Sequence, residues 1–313
     1  MKIQVGMTSF APQHGYGRIE EPIVNALEAA GATILKDHQF GWDHLLLFGY
    51  PHSWQLSKSG KGDDIILHTM FEFPTLPKHW PGLYNRFRLL WLPTTWCEEV
   101  YRDNGVTADI MVSGYGIDEK DFPELVEERE AHDHPFTFLA VGHQFTDRKG
   151  SHLALEAFVK LGLKDARLLL KIRDPMVKSF SGKFKGEVEV VGGFLGNNEY
   201  WNLLAMSDVL VYPHWGEGFG LIPLEYGRTG LPGIVTDYSG PRDYLNDECW
   251  LKLEMRKGKP DVEQLMAQML WCYEHQDEVR RMGRNAAQYV AREYTWEASG
   301  RKAYRKLQQH LGG

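Results

Sequence analysis

Cysteine is scarce: Cys97, Cys249 and Cys272 are the only three, and no two stand at metal-ligand spacing. An odd, scattered set does not make a disulfide framework and fits a reducing cytoplasm, the expected compartment. Long hydrophobic runs are missing too. None approaches the ~20 residues that span a bilayer, so no transmembrane segment is expected, though peripheral membrane contact stays open. The opening MKIQVGMTSF is too short and polar for a signal peptide and reads as a buried strand. Positive charge is not in excess: 35 Lys and Arg against 42 Asp and Glu give a net charge of -7. A protein living mainly on a polyanion carries the opposite balance, which argues against nucleic acid as the main partner but leaves a local basic groove open. There is no His-Glu-x-x-His, no Gly-x-Ser-x-Gly and no Asp-x-Asp, and the 13 histidines are dispersed. No metal site is expected, and no cofactor. GYGRIE at 15–20 begins like a dinucleotide fingerprint but has Glu20 where a third small residue belongs, and GKGD at 60–63 lacks the Ser or Thr of a phosphate loop.

What is present is an alternation of strand and helix patterns along the chain, the mark of parallel sheets covered by helices. Strands are expected at Lys2–Gly6, His44–Phe48, Asp64–His68, Arg88–Leu92 and Ala108–Val112, with a turn at Gly15–Gly17 and helices at Ile19–Ala30 and Thr94–Asn104. From Gly114 to Pro135 the chain turns acidic and carries two prolines, which reads as a linker or exposed loop. Phe136–Val141 then restarts the pattern. A helix follows from Gly150, then strands Arg167–Ile172 and Glu187–Val191, helix Asn198–Ser207, strand Asp208–Tyr212, helix Ile222–Arg228 and strand Pro232–Thr236. The tail reads as helices Val262–His275, Glu278–Arg292 and Trp296–Leu311. This predicts two α/β domains, residues 1–130 and 136–290, with residues 291–313 a helix returning toward the first. Ligands of such sheets bind beyond the carboxyl ends of the strands, so the functional residues belong in strand-to-helix loops facing a cleft between the domains.

The most informative stretch is SDVLVYPHWGEGFGLIPLEYGRTGLPGIVTDYSGPRDYL, residues 207–245. A buried strand ending at Tyr212 delivers a loop containing Gly216, Glu217, Gly218, Phe219 and Gly220, and a helix starts at once after it. Small residues let backbone approach a ligand closely. The helix start offers free N–H groups and partial positive charge, a natural seat for phosphate. Glu217 in the loop and Glu225, read as two turns into the helix, are carboxylates that can accept paired hydrogen bonds from vicinal hydroxyls. Together these features suggest an anionic, polyhydroxylated ligand, although an isolated glutamate is more ordinarily a solvated surface residue.

Glu217-Gly218-Phe219-Gly220 followed by Glu225 resembles the donor-site signature of glycosyltransferase family 4, two glutamates separated by seven residues in E-G-F-G-x-x-x-x-E. FTFLAVGHQFTDRKGSHLALEAFVKL, residues 136–161, resembles the family's strand, loop and helix carrying the basic pair on the donor diphosphate. Lys149 falls on the family's lysine. His143 stands where the family usually has arginine, and Arg148 is the candidate replacement. HTMFEFPTLPKHW (68–80), LPTTWCEEVYRDNGV (92–106), SGYGID (113–118) and the final TWEASGRKAYRKL match the same family more loosely.

The resemblance implies the GT-B fold, two Rossmann-like doubly wound α/β domains facing a central cleft. It also implies retaining, metal-independent transfer of a sugar from a nucleotide diphosphate sugar, the co-substrate, to an acceptor hydroxyl. It assigns catalytic roles to Glu217, Lys149, Arg148 and His68, donor contacts to His143, Gly218, Phe219, Gly220, Leu221 and Glu225, and an acceptor-side surface to Gly15, Tyr16, Gly17 and Glu72. The acceptor itself is left open among saccharide, lipid-linked and small-molecule hydroxyls. Trp42, Tyr50, Trp54, Phe71, Phe73, Trp80 and Trp96 supply a possible aromatic platform, and Lys58, Lys61, Lys78, Arg86 and Arg88 give a modified-base DNA acceptor a foothold. Two further readings keep the fold: an epimerase or phosphorylase, and a non-catalytic subunit that binds sugar nucleotides.

Overall fold

The structure is a computed structural model, and it describes residues 1–6, 15–35, 43–51, 62–131, 134–144, 148–173 and 187–312. The chain forms two compact units. The first comprises Met1–Gly116, Glu217–Phe219 and Glu293–Gly313, the second Ile117–Gly216 and Gly220–Arg292. Each is built on its own six-stranded sheet.

In the first unit the elements run β1 (Lys2–Gly6), α1 (Gly15–Ala29), β2 (Thr33–Leu35), β3 (His44–Phe48), β4 (Gly62–His68), α2 (Trp80–Tyr84), β5 (Phe87–Leu92), α3 (Thr95–Asp103) and β6 (Asp109–Val112). The sheet order is β2-β1-β3-β4-β5-β6, with every pairing parallel. Leu89 to Leu92 of β5 are all buried, as a strand covered on both faces requires. α3 is amphipathic in the ordinary way: Trp96, Cys97, Val100 and Tyr101 are buried at helical spacing, and the Thr94 side chain caps it by accepting from the Cys97 N–H. The last helix, Trp296–Leu311, packs on α1. Tyr304 donates to the Gly31 carbonyl at 3.1 Å and Lys306 to the Val112 carbonyl at 2.6 Å.

The second unit continues with α4 (Val126–Ala131), β7 (Phe136–Gly142), α5 (Ser151–Leu161), β8 (Ala166–Ile172), β9 (Val188–Gly192), α6 (Asn197–Ala205), β10 (Val209–Tyr212), α7 (Leu221–Arg228), β11 (Gly233–Thr236) and β12 (Trp250–Leu253). A two-residue ribbon, β13 (Met255–Arg256) with β14 (Lys259–Pro260), precedes α8 (Val262–Glu274) and α9 (Gln276–Glu293). The sheet order is β12-β11-β10-β7-β8-β9. Counted within the unit this is 3-2-1-4-5-6, the doubly wound order, which reverses between β7 and β10. Phe138, Ala140, Leu168, Leu170, Val209, Val211 and Ile234 from the central strands pack with α5 and α8 residues in one hydrophobic cluster.

Three expectations need correcting. Gly15–Gly17 is not a turn but the first turn of α1, which starts there and buries Ile19, Ile23 and Leu27 one turn apart. The acidic stretch before Phe136 is not simply a linker. The division falls after Gly116, and α4 lies within that stretch. Its Arg129 is buried and donates to the carbonyls of Ser207 (2.7 Å), Leu204 (3.1 Å) and Thr229 (3.2 Å). Burial pushes that guanidinium down to about 10, so it stays a cation at neutral pH and serves three carbonyls at once. Finally, β2, α2 and β12 lie where no element was expected; the first two are short, and WLKL alternates too briefly to declare itself.

Gly300 in the last helix supplies a test of the packing. Glycine to alanine normally favours a helix by about 1 kcal/mol. A Cβ here, however, would lie 2.4 Å from the Ala26 carbonyl oxygen, a backbone atom that cannot swing aside. Gly300→Ala should therefore lower stability by about 1–3 kcal/mol, read as a fall in thermal midpoint. Gly82→Ala in α2, where a Cβ meets nothing within 4 Å, should not lower it.

Candidate functional site

In the second unit the loops after β7 and β10 occupy the point where the strand order reverses, the place where doubly wound sheets bind ligands. The two loops hold each other. The Trp215 N–H donates to the Arg148 carbonyl at 3.0 Å, and the Arg148 guanidinium donates to the Gly216 carbonyl at 2.7 Å. Gly150 has φ +77, and a Cβ on it would lie 2.2 Å from the Pro213 oxygen, so only glycine allows the contact. Between them, the Lys149 ammonium donates to the Tyr212 hydroxyl at 2.8 Å and stands 5.3 Å from the centre of the same ring. His143 is exposed just beyond the end of β7.

Both loops end on a left-handed glycine that starts a helix: Gly150 before α5 and Gly220, φ +81, before α7. The Ser151 and His152 N–H groups of α5 and the Leu221 and Ile222 N–H groups of α7 come before any intrahelical acceptor, and each start carries partial positive charge. Gly220 is held from behind, since the Tyr244 hydroxyl donates to its carbonyl at 2.5 Å and a Cβ would strike Pro241 at 2.6 Å. Leu221 is the first residue of α7. Glu225 therefore lies one turn into the helix rather than two, about 6 Å along it, with only 3% of its surface exposed. Arg228 at the end of α7 faces Glu119 and Glu124 at 3.5 and 3.6 Å. A loop pair offering an ammonium, a guanidinium and two helix starts is suited to an anion with several oxygens.

Glu217, Gly218 and Phe219 belong to the first unit. The Gly218 carbonyl accepts from the Thr94 hydroxyl at 2.9 Å and from Cys97 Sγ at 3.3 Å. Phe219 packs against Tyr115 with ring centres 4.7 Å apart and ring planes tilted by 58°. Glu217 is 7% exposed.

His68 is placed differently from the sugar-facing role assigned to it. It is fully buried among the rings of Phe48, Trp91 and Tyr115, at 5.1–5.5 Å. Desolvation pushes its pKa down to about 3, which makes it a neutral packing group in the sheet. Glu72 is half-buried in the loop after β4; burial raises the Tyr115 phenol, and the charges of Cys97 and then Glu72 add to it. Gly15, Tyr16 and Gly17 sit at the start of α1; their side chains, like Trp42, Trp54, Lys58 and Lys61, lie outside the described residues.

The remaining aromatics divide. Tyr50, Phe71 and Trp80 form a ring cluster with 5.2 Å spacings, Trp96 is buried in α3, and Phe73 is 44% exposed. Arg88 is paired with Asp109 at 2.7 Å, while Lys78 and Arg86 are exposed. Sequence reasoning missed Tyr212, Tyr244 and Thr94, each of which fixes a loop through a hydroxyl. A tyrosine closing an otherwise aliphatic strand was the available signal for Tyr212. Among the described residues no group of three or more potential ligands could hold a metal ion, and no helix is long and apolar enough to cross a membrane.

Fold and loops together define a Rossmann-like protein with a loop pair suited to an anion. Residues 121–289, more than half of the chain, match the family described as glycosyl transferases group 1, and the chain belongs to that family. It is 30% identical over 116 residues to sucrose synthase of Denitrovibrio acetiphilus, covering 36% of this chain and 15% of that one. It is 31% identical over 113 residues to the lipopolysaccharide glucosyltransferase WaaG of Escherichia coli, covering 35% and 30%. The aligned stretches thus span less than a third of either relative. Among solved structures, sucrose-phosphate synthase from Thermosynechococcus elongatus superposes with a TM-score of 0.77 at 15% identity, covering 99% of both chains. Anabaena HepE in complex with UDP and glucose gives 0.73 at 13% identity over 99% of this chain and 100% of that one. These likenesses establish the two-domain GT-B fold.

The state of His68 carries a pH prediction. The unfolded chain takes up a proton near the ordinary histidine value of 6.5, and the folded site refuses it until about 3. Its share of stability is therefore complete above pH 6.5 and is lost as the pH falls toward 3. At pH 5 the loss is about 2 kcal/mol. Urea unfolding at pH 7.5 and 5.0 should show the unaltered protein losing about that much more than His68→Phe. Parallel losses would mean that His68 is solvated in the folded chain.

Proposed function

We propose that the chain is a retaining glycosyltransferase that moves a sugar from a nucleotide diphosphate sugar to the hydroxyl of a saccharide, lipid-linked or small-molecule acceptor. The carrying observation is the pair of mutually bonded loops at the β7/β10 reversal, with Lys149 and Arg148 beside two glycine-started helices. Such a pair can seat a diphosphate, and in this proposal it does so without a metal ion. Membership of a glycosyl transferase family and the UDP named with a fold neighbour support the reading.

In this account Lys149 carries the diphosphate charge, together with Arg148 and the amides at the start of α7. Glu225, in the first turns of α7, accepts from the ribose hydroxyls. Glu217 accepts from hydroxyls of the transferred sugar. In the transfer step the bond between the anomeric carbon and the diphosphate oxygen breaks, and its electron pair leaves with the phosphate. The acceptor oxygen bonds to the same carbon from the same face, and the acceptor proton passes to the departing phosphate oxygen. Charge grows on the leaving group, so fixed cations around it act most strongly in the transition state.

Calorimetry with UDP-, GDP- and ADP-sugars in EDTA should give saturable binding for one nucleotide. Lys149→Ala should then lower turnover about 10²–10³-fold, whereas Glu225→Gln should chiefly weaken binding of the free nucleoside diphosphate, a contact shared by ground and transition states. No binding by any of the nucleotides, or binding restored only by a divalent ion, would contradict the metal-free seat.

A further inference from the structure

Thr94 has two tasks on one hydroxyl. It is fully buried; its oxygen accepts the Cys97 N–H at 3.2 Å and caps α3, and its one proton goes to the Gly218 carbonyl at 2.9 Å. The cap alone would be served about as well by aspartate or glycine, neither of which passes a proton on. Cys97 Sγ approaches the same oxygen at 3.3 Å. The Gly218 carbonyl and the Phe219 N–H belong to one planar peptide unit, so holding the oxygen turns that N–H to the opposite side. It also restricts a glycine that has no side chain to restrict it. The walls are close as well: a Cβ on Gly218 would meet Met70 Sδ at 2.8 Å, and one on Gly114 would meet the Phe219 ring at 2.6 Å. The segment that carries Glu217 is thus seated through its neighbour's carbonyl.

We infer that Thr94 is a positioning residue for sugar transfer. Its hydrogen bond to the Gly218 carbonyl fixes the Gly218–Phe219 peptide and, one residue back, the Glu217 carboxylate. The inference rests on the donor-site reading of Glu217. It separates Thr94 from the residues that merely cap a helix, because the cap contributes to stability while the second bond contributes to turnover.

The test measures release of nucleoside diphosphate with water as acceptor, using whichever of UDP-glucose, GDP-glucose, ADP-glucose and GDP-mannose the unaltered chain hydrolyses fastest. Thr94→Val should lower kcat about 10–100-fold, with the donor KM and the Kd of the free nucleoside diphosphate changed less than about threefold. Thr94→Ser, which keeps both bonds, should stay within about threefold of the unaltered chain. Thr94→Gly, which keeps the cap at little cost, should show the same fall in kcat if Thr94→Val does not fold. The double variant Thr94→Val with Glu217→Gln should be no slower than Glu217→Gln alone, as expected for residues acting through one another. Near-normal kcat in Thr94→Val or Thr94→Gly, or losses that multiply in the double variant, would overturn the positioning role while leaving the donor site standing. If no donor is hydrolysed, or Glu217→Gln and Lys149→Ala both keep full turnover, the donor reading fails and takes this inference with it.

Discussion

Arg148 and Trp215 face each other across adjacent loops, the backbone carbonyl of one taking the amide of the other, while the Arg148 guanidinium returns to the Gly216 carbonyl at 2.7 Å. The candidate site depends on this mutual hold. It bridges the two strands at which the second sheet reverses, and it sets Lys149 where the Tyr212 hydroxyl can receive it. A lysine on a solvated loop loses side-chain freedom when it binds an anion, whereas one already held by a buried phenol has lost much of it beforehand. Gly150 makes the hold possible, because no larger residue fits against the Pro213 carbonyl at that φ.

Around this clasp the second unit spends buried polar groups on backbone. Arg129 serves three carbonyls at the ends of α6 and α7, and Tyr244 serves the Gly220 carbonyl. Such groups are costly when left unsatisfied and specific when satisfied. Here they fix the helix that begins at Leu221. The first unit follows another course: its central aromatic group includes a histidine kept neutral by burial, and Thr94 and Cys97 hold the short segment that carries Glu217.

Much of the fold was legible because burial sets periodicity. Lys2–Gly6, His44–Phe48 and Trp296–Leu311 have the bounds read from pattern alone, and most other strands and helices shift by one or two residues. Short elements escaped, as did α4, whose acidic surface hides one buried arginine. In the site, Lys149 and Glu225 stand in the strand-to-helix region that the glycine-rich sequence marked. The hydroxyls that hold the loops were not legible, since Lys149 and Tyr212 are 63 residues apart and Thr94 and Gly218 are 124. Local spacing carries no trace of such partners. A lone histidine offers the same pattern whether it faces a ligand or a core, and only packing places His68 in the core.

The central claim is that a nucleotide sugar docks its diphosphate on the paired loops of the second unit. Amide hydrogen exchange with and without a saturating nucleoside diphosphate tests it most directly, because exchange resolves the backbone N–H groups that the account assigns to phosphate. Protection gathered at 148–152 and 218–225, and weakened in Lys149→Ala, is the predicted result. Protection confined to other strand ends, with those two segments exchanging as in the free protein, would contradict it.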